Sequence, residues 1–163
     1  MRKIVPFSLV IFIIDQLTKL LVSFNIDLNS SVSVIKDFFN ISLVHNYGAA
    51  FSILYGNRIF LILVSFFALA MIYMFLIKGK VLRKFDIVLY SLLFGGIIGN
   101  LFDRIVYGYV IDFFDFNIFG YSFPIFNIAD TAIVIGTFLL IILNISESRN
   151  KNEINSPRKN KDR

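Results

Sequence analysis

Two aspartates, Asp112 in VIDFF and Asp130 in NIADTA, stand among apolar neighbours. A carboxylate at a low-dielectric boundary has its charged form disfavoured, and two brought together tend to share one proton. That is the aspartic-peptidase arrangement: one carboxylate activates water while the other, protonated, polarises the scissile carbonyl. It needs no thiol, imidazole or metal. The chain has no cysteine and one histidine, His45. Thiol nucleophiles, thiolate metal sites and a two-histidine zinc motif are therefore excluded, and no cofactor or metal is expected. Spacing alone leaves a second role open. Asp130, at the start of an apolar segment, suits a helix N-cap or first-turn acid equally well. Asp112 suits a turn less well.

Other polar residues surround these two. The stretch 99–130 carries Asn100, Asp103, Arg104, Asp115 and Asn127 between two apolar segments. Hydrocarbon does not tolerate that polarity without a reason. Asn100 and Arg104 are four apart and share a helix face. Arg104 has the fork to orient backbone or a carboxylate; the alternative is an interfacial arginine paired with Asp103 or Asp112. Asn46, before Tyr-Gly-Ala-Ala, either bonds a substrate backbone or closes an Asx-turn. Asp15 and Lys19 are also four apart and can pair, and Lys19 can snorkel outward. His45, Asp103 and Asp115 read as structural. Ser52, Ser91 and Ser122 complete no Ser–His–Asp pattern.

The elements that must hold these residues are apolar. The 163 residues are 57% hydrophobic with 20 Phe, and mean hydropathy is +0.77. That composition predicts one polytopic membrane unit. Spans are expected at about 4–22, 59–77, 86–103 and 128–146, the first retained because it lacks a small-residue cleavage site. Residues 23–58 and 104–127 form the loops between them. VSVIKDFFNISLVHN alternates enough for short strands, and 105–126 is turn-rich and strand-like. Gly95, Gly96 and Gly99 permit close helix contact. The expected fold class is an all-α polytopic membrane protein, with four transmembrane helices and a small extracytoplasmic β-rich element. A domain over 1–146 is followed by a basic, disordered tail over 147–163.

Charge gives the orientation. Arg2, Lys3, the cluster Lys78, Lys80, Arg83 and Lys84, and six Lys/Arg of the tail fall on one side of a four-span chain. Lys36, Arg58 and Arg104 alone occupy the other side's loops. This is the positive-inside pattern, so both termini are expected in the cytoplasm. The net charge of +5 thus reflects topology, and nucleic-acid binding is not expected. Asp15, Asn46, Asn100, Arg104, Asp112, Asn127 and Asp130 then converge near the extracytoplasmic surface. A transporter or channel with a proton relay is the main rival, but it needs ionisable residues at several depths.

DQLTK at 15–19, NYGAAFS at 46–52, GNLFDR at 99–104, VIDFFD at 110–115 and FNIADTAI at 126–133 resemble the lipoprotein signal peptidases (signal peptidase II, or prolipoprotein signal peptidase). The resemblance covers the chain up to its tail. It implies a four-helix aspartyl peptidase of the bacterial cytoplasmic membrane that cuts diacylglyceryl-modified prolipoproteins before the lipidated cysteine. It places Asp112 and Asp130 on the catalytic dyad, and Asp15, Asn46, Asn100, Arg104 and Asn127 on supporting positions. It further implies lipidated prolipoprotein and membrane lipid as partners, inhibition by globomycin-type lipopeptides, and a monomer. His45 stands where many relatives carry arginine.

Overall fold

The computed structural model describes residues 3–49 and 53–155. Helix α1 spans Ile4–Asn25, followed by strands β1 (Ser31–Ile35) and β2 (Phe39–Asn46). Helix α2 covers Arg58–Met71 and continues as wider π-helical turns over Ile72–Ile77. Helix α3 (Lys84–Val106), strands β3 (Val110–Ile118) and β4 (Tyr121–Ser122), and helix α4 (Ile128–Asn155) complete the chain. All four helices are long and apolar enough to cross a membrane. Their boundaries lie within a few residues of the expected spans, except that α4 runs on to Asn155. Residues 147–155, expected to be disordered, are therefore helical. A helix already nucleated extends at little cost through Glu, Arg and Lys. Residues 156–163, and residues 50–52 within the NYGAAFS motif, lie outside the described residues.

Helix α3 is the central one. It is the most buried of the four, whereas α2 exposes nearly all of its surface. Helix α1 buries Ile4, Ser8, Asp15 and Lys19, a single face turned towards α3. Glycines set the approach. A Cβ on Gly95 would lie 2.6 Å from Ile11 Cβ of α1, and one on Gly96 would lie 2.5 Å from the Ala129 carbonyl oxygen of α4. Two helices thus press on opposite sides of one small-residue stretch. Arg58, the first residue of α2, donates to the carbonyls of Arg104 (2.7 Å) and Ile105 (2.9 Å). It satisfies oxygens that the end of α3 leaves without helical partners. Away from the sheet, Ile4, Ile77, Leu89, Tyr90 and Leu93 form the apolar core.

The strands form one antiparallel sheet in the order β1-β2-β3-β4. It lies against the end of the bundle where α1 and α3 finish and α2 and α4 begin. In β2 and β3, Asn46 pairs with Val110 and Val44 with Asp112. An irregularity between Ile41 and Val44 shifts the register, which twists the strand locally. Phe113 and Phe114 both donate their amides to the Phe126 carbonyl (3.0 and 2.8 Å). That lashes the segment before α4 to β3. Phe116 stacks on Phe39 and Phe126, with ring centroids 4.5 and 5.8 Å apart. The strand-like segment 105–126 is therefore a nine-residue strand and a short hairpin rather than a loop.

Candidate active site

The start of α4 is built by two side chains. The Asp130 amide donates to Asn127 Oδ1 (2.9 Å), and the Asn127 amide donates to Asp130 Oδ2 (3.3 Å). This is a capping box with Asn127 as the N-cap. Asp130 does serve the helix terminus, but through one oxygen only. Its Oδ1 accepts from Asn100 Nδ2 of α3 (2.7 Å).

Strand β3 delivers the second acid. Asp112 Oδ1 accepts from Asn127 Nδ2 (2.6 Å), and Oδ2 accepts from Asn46 Nδ2 of β2 (2.9 Å). Asn46 also closes a turn, with the Gly48 amide donating to its Oδ1 (2.9 Å). Of the two roles open to Asn46, the structure shows the turn, while its Nδ2 donates to the Asp112 carboxylate. All four oxygens of the two acids accept one amide N–H each. Burial pushes the Asp112 carboxyl up to about 7; the negative charge of Asp130 adds to the rise, and the bonds from Asn46 and Asn127 oppose it.

Both acids open onto one cleft of about 490 Å³. Asn46, Asn100 and Arg104 share their wall, and Phe123, Ile125 and Val134 line the rest. Val134 and Ile135 are exposed on the outer surface of α4, so the apolar part of the cleft continues onto the face that lipid would cover. Arg104 donates to the carbonyls of Gly48 (2.8 Å) and Asn100 (3.3 Å). It orients backbone, and among the described residues it makes no ion pair with Asp103 or Asp112. Among the same residues no three His, Cys, Asp or Glu are grouped as metal ligands.

Beneath the pair lies a buried charged layer. Lys19 Nζ is 2.8 Å from Asp15 Oδ2 and 2.7 Å from Asp103 Oδ2, and it donates to Asn100 Oδ1 (3.1 Å). Gln16 donates to Asp15 Oδ2 (3.1 Å) and Asp103 Oδ1 (2.8 Å). Asp15 Oδ1 accepts the Ala129 amide at the head of α4 (2.8 Å). Lys19 is 1% exposed: of the two courses open to it, it pairs with Asp15 and does not snorkel outward. Two carboxylates and an amide oxygen saturate its three N–H donors inside the bundle, and water offers nothing better. The site expected from sequence does not include Lys19 or Gln16, and it gives Asp103 only a structural role. The signal was present. Asp103 is three residues from Asn100 on α3, and an acid-and-lysine pair on α1 sits at the same depth.

The remaining polar residues stand apart. Strand alternation turns His45 to the face of the sheet opposite Asp112, with Leu43, Tyr109 and Ile111. There it stacks on Tyr109 (3.7 Å between centroids), and burial holds its imidazole below the ordinary pKa. Asp115 lies within β3, not in a loop, and accepts from Ser42 (2.8 Å) and Asn40 (3.4 Å) across the sheet.

The family described as signal peptidase (SPase) II matches residues 7–146. Lipoprotein signal peptidases of Staphylococcus aureus strains JH9 and Newman are each 43% identical over 143 residues, covering 88% of this chain and 88% of theirs. Two solved structures, both of a bacterial membrane enzyme obtained by the in meso method, are also similar. The one at 2.3 Å has a TM-score of 0.84 and 39% identity over 93% of this chain and 92% of its own. The one at 1.9 Å has a TM-score of 0.78 and 40% identity over 88% and 92%.

Proposed function

We propose that this chain, which belongs to the signal peptidase II family, is a membrane aspartyl peptidase that removes the signal peptide from prolipoproteins. The observation that carries the chemistry is the meeting of Asp112 and Asp130 on one wall of an apolar cleft, every carboxylate oxygen held by an amide. With one proton on the pair, the ionised carboxylate takes a proton from water as the water oxygen attacks the scissile carbonyl carbon. The protonated carboxylate polarises the carbonyl oxygen. Collapse of the tetrahedral intermediate breaks the C–N bond, and a proton passes from the pair to the leaving nitrogen. Asn46, Asn100, Asn127 and Arg104 hold the acids and the cleft wall, and Asp15 anchors the head of α4 beneath them.

The substrate reading follows from where the cleft opens. A diacylglyceryl-modified cysteine keeps its acyl chains in the bilayer, and the lipid-facing mouth along Val134 and Ile135 admits such a substrate sideways. Cleavage before that cysteine places the site at the extracytoplasmic face of the cytoplasmic membrane, with both termini inside. The same cleft is the place for a globomycin-type lipopeptide, and the reading needs no second copy. A proton relay finds no support. None of the four spans carries Asp, Glu, Lys or Arg over 4–14, 59–77, 87–102 or 131–146, so no charged path crosses the bundle.

The test is cleavage of a purified diacylglyceryl-modified preprolipoprotein by the wild type, Asp112→Asn and Asp130→Asn. Both variants are expected to fold and to lose roughly three or more orders of magnitude in rate. Near-normal turnover by either variant removes the dyad assignment.

A further inference from the structure

We propose that Lys19 is a positioning residue of the dyad, acting through Asn100; this rests on Asp112 and Asp130 being the catalytic pair. An asparagine can offer its N–H to a carboxylate only if its amide is kept from turning over, because the flipped amide presents lone pairs instead. Each asparagine around the dyad has a donor on its oxygen. For Asn46 it is the Gly48 amide, and for Asn127 it is the Asp130 amide, both backbone. Among the described residues, Asn100 Oδ1 has no backbone partner. It is held by Lys19 Nζ (3.1 Å) and Asn127 Nδ2 (3.2 Å). The Asn127 Nδ2 group is shared with Asp112 Oδ1 and the Ile111 carbonyl, which leaves Lys19 as the committed donor.

An ammonium only donates, so it can face only the oxygen of Asn100. Asn100 Nδ2 must then point to Asp130 Oδ1. Lys19 is itself aimed by Asp15 on its own helix and by Asp103 on α3, with Gln16 bonded to both acids. From α4, the Ala129 amide reaches the same cluster through Asp15. The lysine thus transmits the fixed geometry of three helices to one amide, and it opposes two carboxylates that would otherwise add negative charge beside the dyad.

A double-mutant cycle on the full chain tests this, with kcat and KM measured on lipidated preprolipoprotein and folding followed by thermal unfolding. Lys19→Met is expected to lower kcat by about 10- to 100-fold with KM changed less than about threefold. Asn100→Ala is expected to do the same, and Lys19→Met/Asn100→Ala to be no worse than Asn100→Ala within about threefold. Lys19→Met leaves two buried acids unopposed. If it does not fold, the cycle is run in the charge-compensated pair Lys19→Met/Asp103→Asn. Losses that multiply, normal kcat in a folded variant lacking Lys19, or failure of both backgrounds to fold would make Lys19 purely structural and overturn the proposal. Retained turnover in Asp112→Asn or Asp130→Asn would instead remove the dyad itself.

Discussion

Asp112 holds its proton far more tightly than an aspartate in water, because burial and the neighbouring Asp130 both oppose its ionisation. If Asp112 and Asp130 form the proposed dyad, activity requires one proton on the pair, and with Asp112 near 7 that proton is lost above that pH. The kcat/KM profile is expected to fall on its alkaline side with an apparent pKa within about one unit of 7. A flat profile to pH 9 would contradict it. Stability moves the same way. Between the ordinary value of 3.8 and about 7, the folded chain retains a proton that the unfolded chain has released. Stability from this group is therefore complete below 3.8 and declines as pH rises to about 7. Asp112→Asn removes that titration. Its stability relative to wild type is expected to rise from pH 4 to pH 8, by up to about 4 kcal/mol, measured as thermal unfolding in detergent.

Helix spacing is what puts the residues within reach, and Gly99 shows how narrow the tolerance is. A Cβ there would come 2.6 Å from Asp15 Oδ2 and 3.3 Å from Ala129 Cβ. The Asp15 carboxylate cannot swing aside, because Lys19, Gln16 and the Ala129 amide all hold it. Gly99→Ala is expected to destabilise the fold by roughly 1–3 kcal/mol, and to lower kcat because α4 carries Asp130. At Gly120 the backbone has φ +83 but nothing lies within 4 Å of an added Cβ. Gly120→Ala thus strains only a hairpin tip and is expected to leave kcat within about twofold. Parallel unfolding and turnover measurements separate the two; equal effects would mean that helix spacing does not control the site.

For the whole molecule, alternating helices put the sheet, the cleft and the charged layer at one end and the basic turn Lys78–Lys84 at the other. A reporter fused after Lys80 is expected to read as cytoplasmic and one fused after Gly120 as extracytoplasmic. Reversed results would move the site to the wrong face for a lipid-anchored substrate.

Class and candidate residues were readable without the fold. Apolar runs long enough to span need no partner to be recognised, since hydrocarbon admits only helices or closed barrels. Acids and amides that hydrocarbon should reject mark themselves as exceptions, so Asp112, Asp130, Asn46, Asn100 and Asn127 were legible one by one. Strand alternation made β1 and β2 visible, while β3 was blurred by its run of aromatics. Packing settled who holds whom. Asn127 proved to be cap and donor together, and Arg104 a backbone clamp. Lys19, whose length allows an outward path, turned inward because two acids from different helices met it there. Such choices depend on distances between residues up to 114 apart in the chain, as in the bond from Ala129 to Asp15. Local pattern carries no information at that range, and only the packing of α1, α3 and α4 supplies it.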